Sequence, residues 1–119
     1  MSLQQVCSNG KMEAADGFAK LIAEHRQSVA ALERIGKRWM RAEGPDATVL
    51  AAKLDAVMAQ EAGLRKRAAI APMTTIAEIK MKAAYFERLA VHDWCQIDVD
   101  DFRALLGSFA KLAILGEER

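Results

Sequence analysis

From Phe18 to Trp39, apolar or small side chains recur in steps of four and three: Phe18, Ile22, His25, Val29, Leu32, Gly36 and Trp39. No proline interrupts them. About three heptads of such a seam predict one helix over residues 17–43, and that helix must lay one stripe against a partner of similar length. At 1.5 Å per residue the helix is ~40 Å long, which is long for a chain of 119 residues. Asp16 is the expected N-cap. The polar stretch 1–12, with Ser8-Asn9-Gly10 as a turn-like cluster, reads as a tail.

The partner follows at once. Gly44 suits the left-handed position after a helix, Pro45 cannot continue one, and Asp46 is placed to cap the next. Ala47, Leu50, Leu54, Val57, Glu61, Leu64 and Ala68 then step by three and four, predicting a second helix over 46–70. A connection this short makes the two helices antiparallel neighbours. Pro72 stops the second helix. Thr75-Ile76-Ala77-Glu78 has the form of a capping box and opens a third helix over 75–93, with Ile76, Ile79, Ala83, Phe86 and Ala90 as its stripe. Asp98 is a natural cap for a fourth helix over 99–115. Phe102, Leu105, Leu106, Phe109, Leu112 and Ala113 lie on one face of it, and Gly116 ends it. No segment alternates with period two for long enough to argue a strand. The fold class is therefore all-α: one domain, a long antiparallel helical hairpin followed by two shorter helices that close a bundle.

Composition excludes several function classes. With 52% hydrophobic and 28% charged residues the chain is globular, not disordered. A formal charge of +1 advertises neither a polyanion partner nor an acidic substrate. No apolar run approaches the ~20 residues of a membrane span. Two cysteines, Cys7 and Cys95, are expected as free thiols in a reducing compartment. With no basic leader or apolar core at the start, the expected location is the cytoplasm.

The stretch from Ala71 to Lys82, Ala-Pro-Met-Thr-Thr-Ile-Ala-Glu-Ile-Lys-Met-Lys, resembles a motif of small helical proteins found in alphaproteobacterial genomes and prophages. In those, a helical hairpin precedes a Pro-x-Thr-Thr capping segment. Here Glu78 stands where glycine is common and Ile76 where leucine is common. The resemblance spans about residues 45–90. It implies a bacterial cytoplasmic protein, associated with a mobile element, and no catalytic residue.

His25 and Glu61 are the polar intruders in the first two seams. If the hairpin is symmetric about Gly44-Pro45, facing positions sum to about 86–90. Leu64 then lies opposite His25, and Glu61 lies opposite Val29, one layer away. A buried carboxylate needs a partner. The pair is either a polar layer that fixes helix register or a site able to bind a metal or move a proton. One histidine and one glutamate are too few for a four-coordinate zinc. Two copies would supply enough ligands, but the Glu-x-x-His pairs of carboxylate-bridged bundles are absent.

His92-Asp93-Trp94-Cys95 gathers ligand types without a second half at metal-binding spacing, and reads as a helix end with Trp94 packed as a lid. Asp98-Val99-Asp100-Asp101 lacks the glycine and glutamate of a calcium loop and reads as helix N-terminal acids. Arg65, Lys66 and Arg67 form one basic patch, and Lys37, Arg38 and Arg41 another. Residues 1–73 carry 11 basic and 8 acidic side chains, an excess too small and too spread for a nucleic-acid footprint. No cofactor motif and no nucleophile–base pair is visible. The expected function is a non-enzymatic helical interaction module that associates with itself or with an unidentified protein partner. The alternatives are a small DNA-binding regulator or phage accessory protein, and a metal-dependent enzyme on a dimeric bundle.

Overall fold

The structure is a computed structural model that describes the backbone of residues 12–117 and the side chains of residues 17–112. Four helices follow one another: α1 (Met12–Arg41), α2 (Pro45–Ile70), α3 (Ile76–Leu89) and α4 (Val99–Glu117). No strand occurs among the described residues. Apart from Met12, which is already helical, the expected tail lies outside the described residues, as does Cys7.

Helix α1 starts earlier than expected. Asp16 lies inside it, because Met12-Glu13-Ala14-Ala15 are competent helix formers and nothing stops the helix extending back over them. At the hairpin bend, Gly44 rather than Asp46 is the N-cap of α2. Gly44 takes φ 62°, a left-handed conformation that only glycine enters cheaply, and no side chain caps the helix. Pro45, with its φ already helical, opens the first turn instead, and Asp46 sits within that turn. Residues 24–31 of α1 share a groove with residues 59–67 of α2, and residues 38–42 share one with 46–53. That near-constant sum is the signature of antiparallel packing.

Helix α3 opens on the capping box read from the sequence. The Thr75 hydroxyl accepts from the Glu78 backbone N–H at 3.1 Å, and the Glu78 carboxylate accepts from the Thr75 and Thr74 backbone N–H groups. The Thr74 backbone N–H foremost holds Glu78 below the usual carboxylate range, against the opposing effect of burial. The helix ends at Leu89, sooner than expected, with Ala90 as its C-cap. Residues 90–98 form an irregular connector. Asp98 accepts from the Asp101 backbone N–H through its side chain at 2.8 Å and so opens α4, which runs through Gly116 to Glu117.

Phe18, Ile22 and Val29 of α1, Ala68 and Ala69 of α2, and Tyr85, Phe86 and Leu89 of α3 make the core, with Cys95 of the connector set into it. The α1 seam holds from Phe18 to Gly36 and then fails, since Trp39 is exposed. The residues around the hairpin tip, 37–41 and 43–46, are exposed among the described residues. The α3 stripe is also rotated from the expected one. Ile76, Ala83 and Ala90 are exposed, and Glu78, Lys82, Tyr85, Phe86 and Leu89 are buried. On α4, Phe102 and Leu106 face outward while Asp101 is fully buried. In both helices the buried face includes polar residues that find partners, which an apolar pattern cannot anticipate.

Candidate functional site

Three elements converge on Glu61. Its place on the α2 seam sends the carboxylate into the core, where Oε2 accepts from His25 Nε2 of α1 at 2.7 Å and from Cys95 Sγ of the connector at 3.2 Å. Arg65, one turn along α2, donates from Nη1 to both Glu61 oxygens at 2.6 Å. The same guanidinium donates from Nε to Asp101 Oδ2 of α4 at 2.5 Å. On the far side of the imidazole, His25 Nδ1 lies 2.5 Å from the Tyr85 hydroxyl of α3. All six side chains belong to buried residues. A carboxylate can only accept, so the proton facing Glu61 is on His25 Nε2, and in the neutral ring the Tyr85 hydroxyl donates to Nδ1. The chain of bonds Tyr85 to His25 to Glu61 to Arg65 to Asp101 thereby links all four helices.

The electrostatics follow from this closure. Burial pushes the Glu61 carboxyl up, but bonds from His25 and Cys95 and the charge and bonds of Arg65 outweigh it, so Glu61 is held below its usual range. Burial opposes the Arg65 charge, yet Asp101 and Glu61 more than compensate and the guanidinium stays charged. Burial, reinforced by Glu61, pushes the Cys95 thiol up to about 12. Tyr85 is likewise raised, by burial first. Neither hydroxyl nor thiol is an activated nucleophile.

Arg65 therefore does not form a surface patch with Lys66 and Arg67. It points inward because Glu61 and Asp101 require a cation, while Lys66 and Arg67 remain exposed. Asp101 is not simply a helix N-terminal acid, for the same reason. Its Oδ1 is buried with no hydrogen-bond partner. Trp94 borders the same cavity as Glu61 and Arg65, and its indole ring is set against Gly36, where any Cβ would overlap it. His92 accepts from the Trp94 backbone N–H at 3.1 Å and shapes the turn that places Trp94 and Cys95.

A second buried polar group sits at the junction of α2, α3 and α4. Lys82 is completely buried and donates to the Ala71 carbonyl at 2.8 Å and to Ser108 Oγ at 2.9 Å, with the Phe109 ring 6.0 Å away. No carboxylate faces it among the described ion pairs, and burial lowers its pKa to about 8.

Sequence reasoning missed Cys95, Tyr85, Asp101 and Lys82 as partners. Arg65 carried a usable signal, lying four residues after Glu61 on a face that both would share in a helix. Among the described residues no helix is long and apolar enough to cross a membrane. No family model, curated protein or solved structure matches the chain.

Proposed function

We propose that the chain is a non-enzymatic helical interaction module of the cytoplasm that associates with a second copy of itself through α4. The buried cluster serves to fix the register of the four helices. The observation that carries this reading is the stripe Val99, Phe102 and Leu106, spaced by three and four on α4 and each more than half exposed. It adjoins an apolar groove of about 850 Å³ between α3 and α4, lined by Ala83, Phe86, Leu105 and Phe109. The molecule is a slab of 61 × 41 × 17 Å, no more than two helices thick at ~10 Å per helix. Such a slab leaves one face of α4 without a partner.

A two-fold contact sets a patch against itself. The α4 stripe of each copy would enter the groove of the other, and a net charge of +1 offers little repulsion. The unactivated Cys95 and Tyr85 support a non-catalytic role, and a free thiol in the core suits a reducing compartment. The withdrawal of Arg65 leaves Lys66 and Arg67 as a remnant too small for a nucleic-acid footprint.

Sedimentation velocity at micromolar concentration tests the reading. The expected result is a dimer, with Phe102→Glu combined with Leu106→Glu returning a folded 13.1 kDa monomer. A wild type that stays monomeric throughout that range refutes self-association, and a dimer indifferent to the double substitution refutes the α4 interface.

A further inference from the structure

With the His25 ring neutral, the cluster around Glu61 has one negative charge in excess, since Arg65 is the single fixed cation between the Glu61 and Asp101 carboxylates. One carboxylate oxygen, Asp101 Oδ1, is buried without a donor. On the other side of Arg65, three ligand atoms of different chemistry, His25 Nε2, Glu61 Oε2 and Cys95 Sγ, lie within 4.8 Å of one another. They come from α1, α2 and the connector, so no local motif would have brought them together. We propose that His25, Glu61 and Cys95 form a zinc(II) site that ties the 90–98 connector to the helical hairpin, an assignment that goes beyond the interaction-module reading.

The donor set is one nitrogen, one carboxylate oxygen and one sulfur, a combination suited to zinc and poorly suited to magnesium or calcium. Tetrahedral bonds to zinc at the usual lengths place ligand atoms about 3.4–3.6 Å apart. The present separations are 2.7 Å between Nε2 and Oε2 and 3.2 Å between Sγ and Oε2, and all three atoms lie within 4.8 Å of one another, so side-chain movements of about 1 Å arrange them around the ion. A cavity of about 380 Å³, which Glu61 and Arg65 border, can supply a water as fourth ligand.

Surrounding groups already stand where an outer shell needs them. When Nε2 binds zinc, its proton leaves and Nδ1 takes one up, now donating to the Tyr85 oxygen at 2.5 Å and fixing the ring. The Tyr85 hydroxyl proton is then free to turn towards the small cavity of about 240 Å³ that Tyr85 borders between α1 and α3. Arg65 keeps its bond to Glu61 Oε1 and faces Cys95 Sγ at 3.7 Å, placed to donate to a thiolate. The Cys95 thiol proton passes to solvent, so binding releases one net proton per zinc. Two charges from zinc, offset by the new thiolate, cancel the excess negative charge of the cluster.

The test uses the full chain carrying Cys7→Ser, stripped with chelator and titrated with cobalt(II) as a spectroscopic stand-in and with zinc(II). The expected result is one metal per chain, with a thiolate-to-cobalt charge-transfer band and intense visible bands of tetrahedral cobalt. Cys95→Ser in the same background should abolish the charge-transfer band and weaken zinc binding by more than about 100-fold, beyond the cost of losing an outer-shell partner. Tyr85→Phe should weaken it by about 10–100-fold and keep the band. Should Cys95→Ser fail to fold, nitrogen-15 spectra of the Cys7→Ser protein decide: zinc must move the His25 ring proton from Nε2 to Nδ1. A folded Cys7→Ser protein with no charge-transfer band, or a His25 ring unmoved by saturating zinc, overturns the site.

Discussion

Arg65 and Lys82 are both buried cations that join helices, yet their surroundings are opposite. Arg65 lies between two carboxylates and uses its planar fork on both, so its charge survives burial. Lys82 meets a helix-end carbonyl, a hydroxyl and an aromatic ring, but no carboxylate among the described residues, and burial draws its pKa down to about 8. The first holds register through paired charges and is costly to break. The second caps the end of α2 with an ammonium whose proton is weakly held. Charge pairing and the higher intrinsic basicity of the guanidinium, rather than depth, separate a permanent ion from a titratable one.

Removing Arg65 should have the largest effect. Arg65→Met leaves Glu61 and Asp101 facing each other without a cation, and should destabilise the fold by about 3–5 kcal/mol in urea denaturation. A loss below about 1 kcal/mol would erase the contrast with Lys82.

The Lys82 side of the comparison is a pH effect. Its pKa is lowered on folding from 10.5 to about 8, so between those values the unfolded chain binds more protons. Stability should rise as pH climbs from about 8 towards 10.5, by no more than about 3 kcal/mol, and should be at its lower level below that window. Denaturant melts of wild type and Lys82→Met across the window isolate this contribution. A parallel rise in the variant would assign the effect to other groups.

Gly36→Ala probes the lid over the Arg65 end. The methyl group collides with Trp94, so the indole must shift, at a cost of about 1–3 kcal/mol. In a Cys7→Ser background the same change should speed modification of Cys95 by a thiol reagent, because Trp94 is its chain neighbour. Unchanged stability and reactivity would mean that Trp94 does not shield the cluster.

The smallest effect is expected at the cap of α3. Thr75→Ala removes the α3 cap and should cost about 1 kcal/mol, with the slope in Lys82-dependent pH stability left intact. A larger loss accompanied by a changed slope would show that the cap and Lys82 act together.

The helices were legible because their punctuation is local: Gly44-Pro45, Pro72 with Thr75 and Glu78, and Asp98 each act within a few residues. Seam periodicity also placed His25 and Glu61 inside the hairpin, and their ring nitrogen and carboxylate lie 2.7 Å apart. The faces of α3 and α4 were not legible. Lys82 and Asp101 are buried through contacts with residues 26 and 36 positions away, Ser108 and Arg65, and hydrophobic period counts such residues as surface. The same limit hid Cys95, which reaches Glu61 only through the fold of an irregular connector.

The closed layer around Glu61 is tested most directly by the hydrogen-bonded proton of His25, read from long-range nitrogen-15 spectra of the metal-free protein in mildly alkaline buffer. The geometry predicts the tautomer with the proton on Nε2, held by the Glu61 carboxylate and protected from solvent exchange, with His92 as the partly exposed reference in the same spectrum. A His25 proton on Nδ1, or one that exchanges as fast as that of His92, would contradict the layer and the register it fixes.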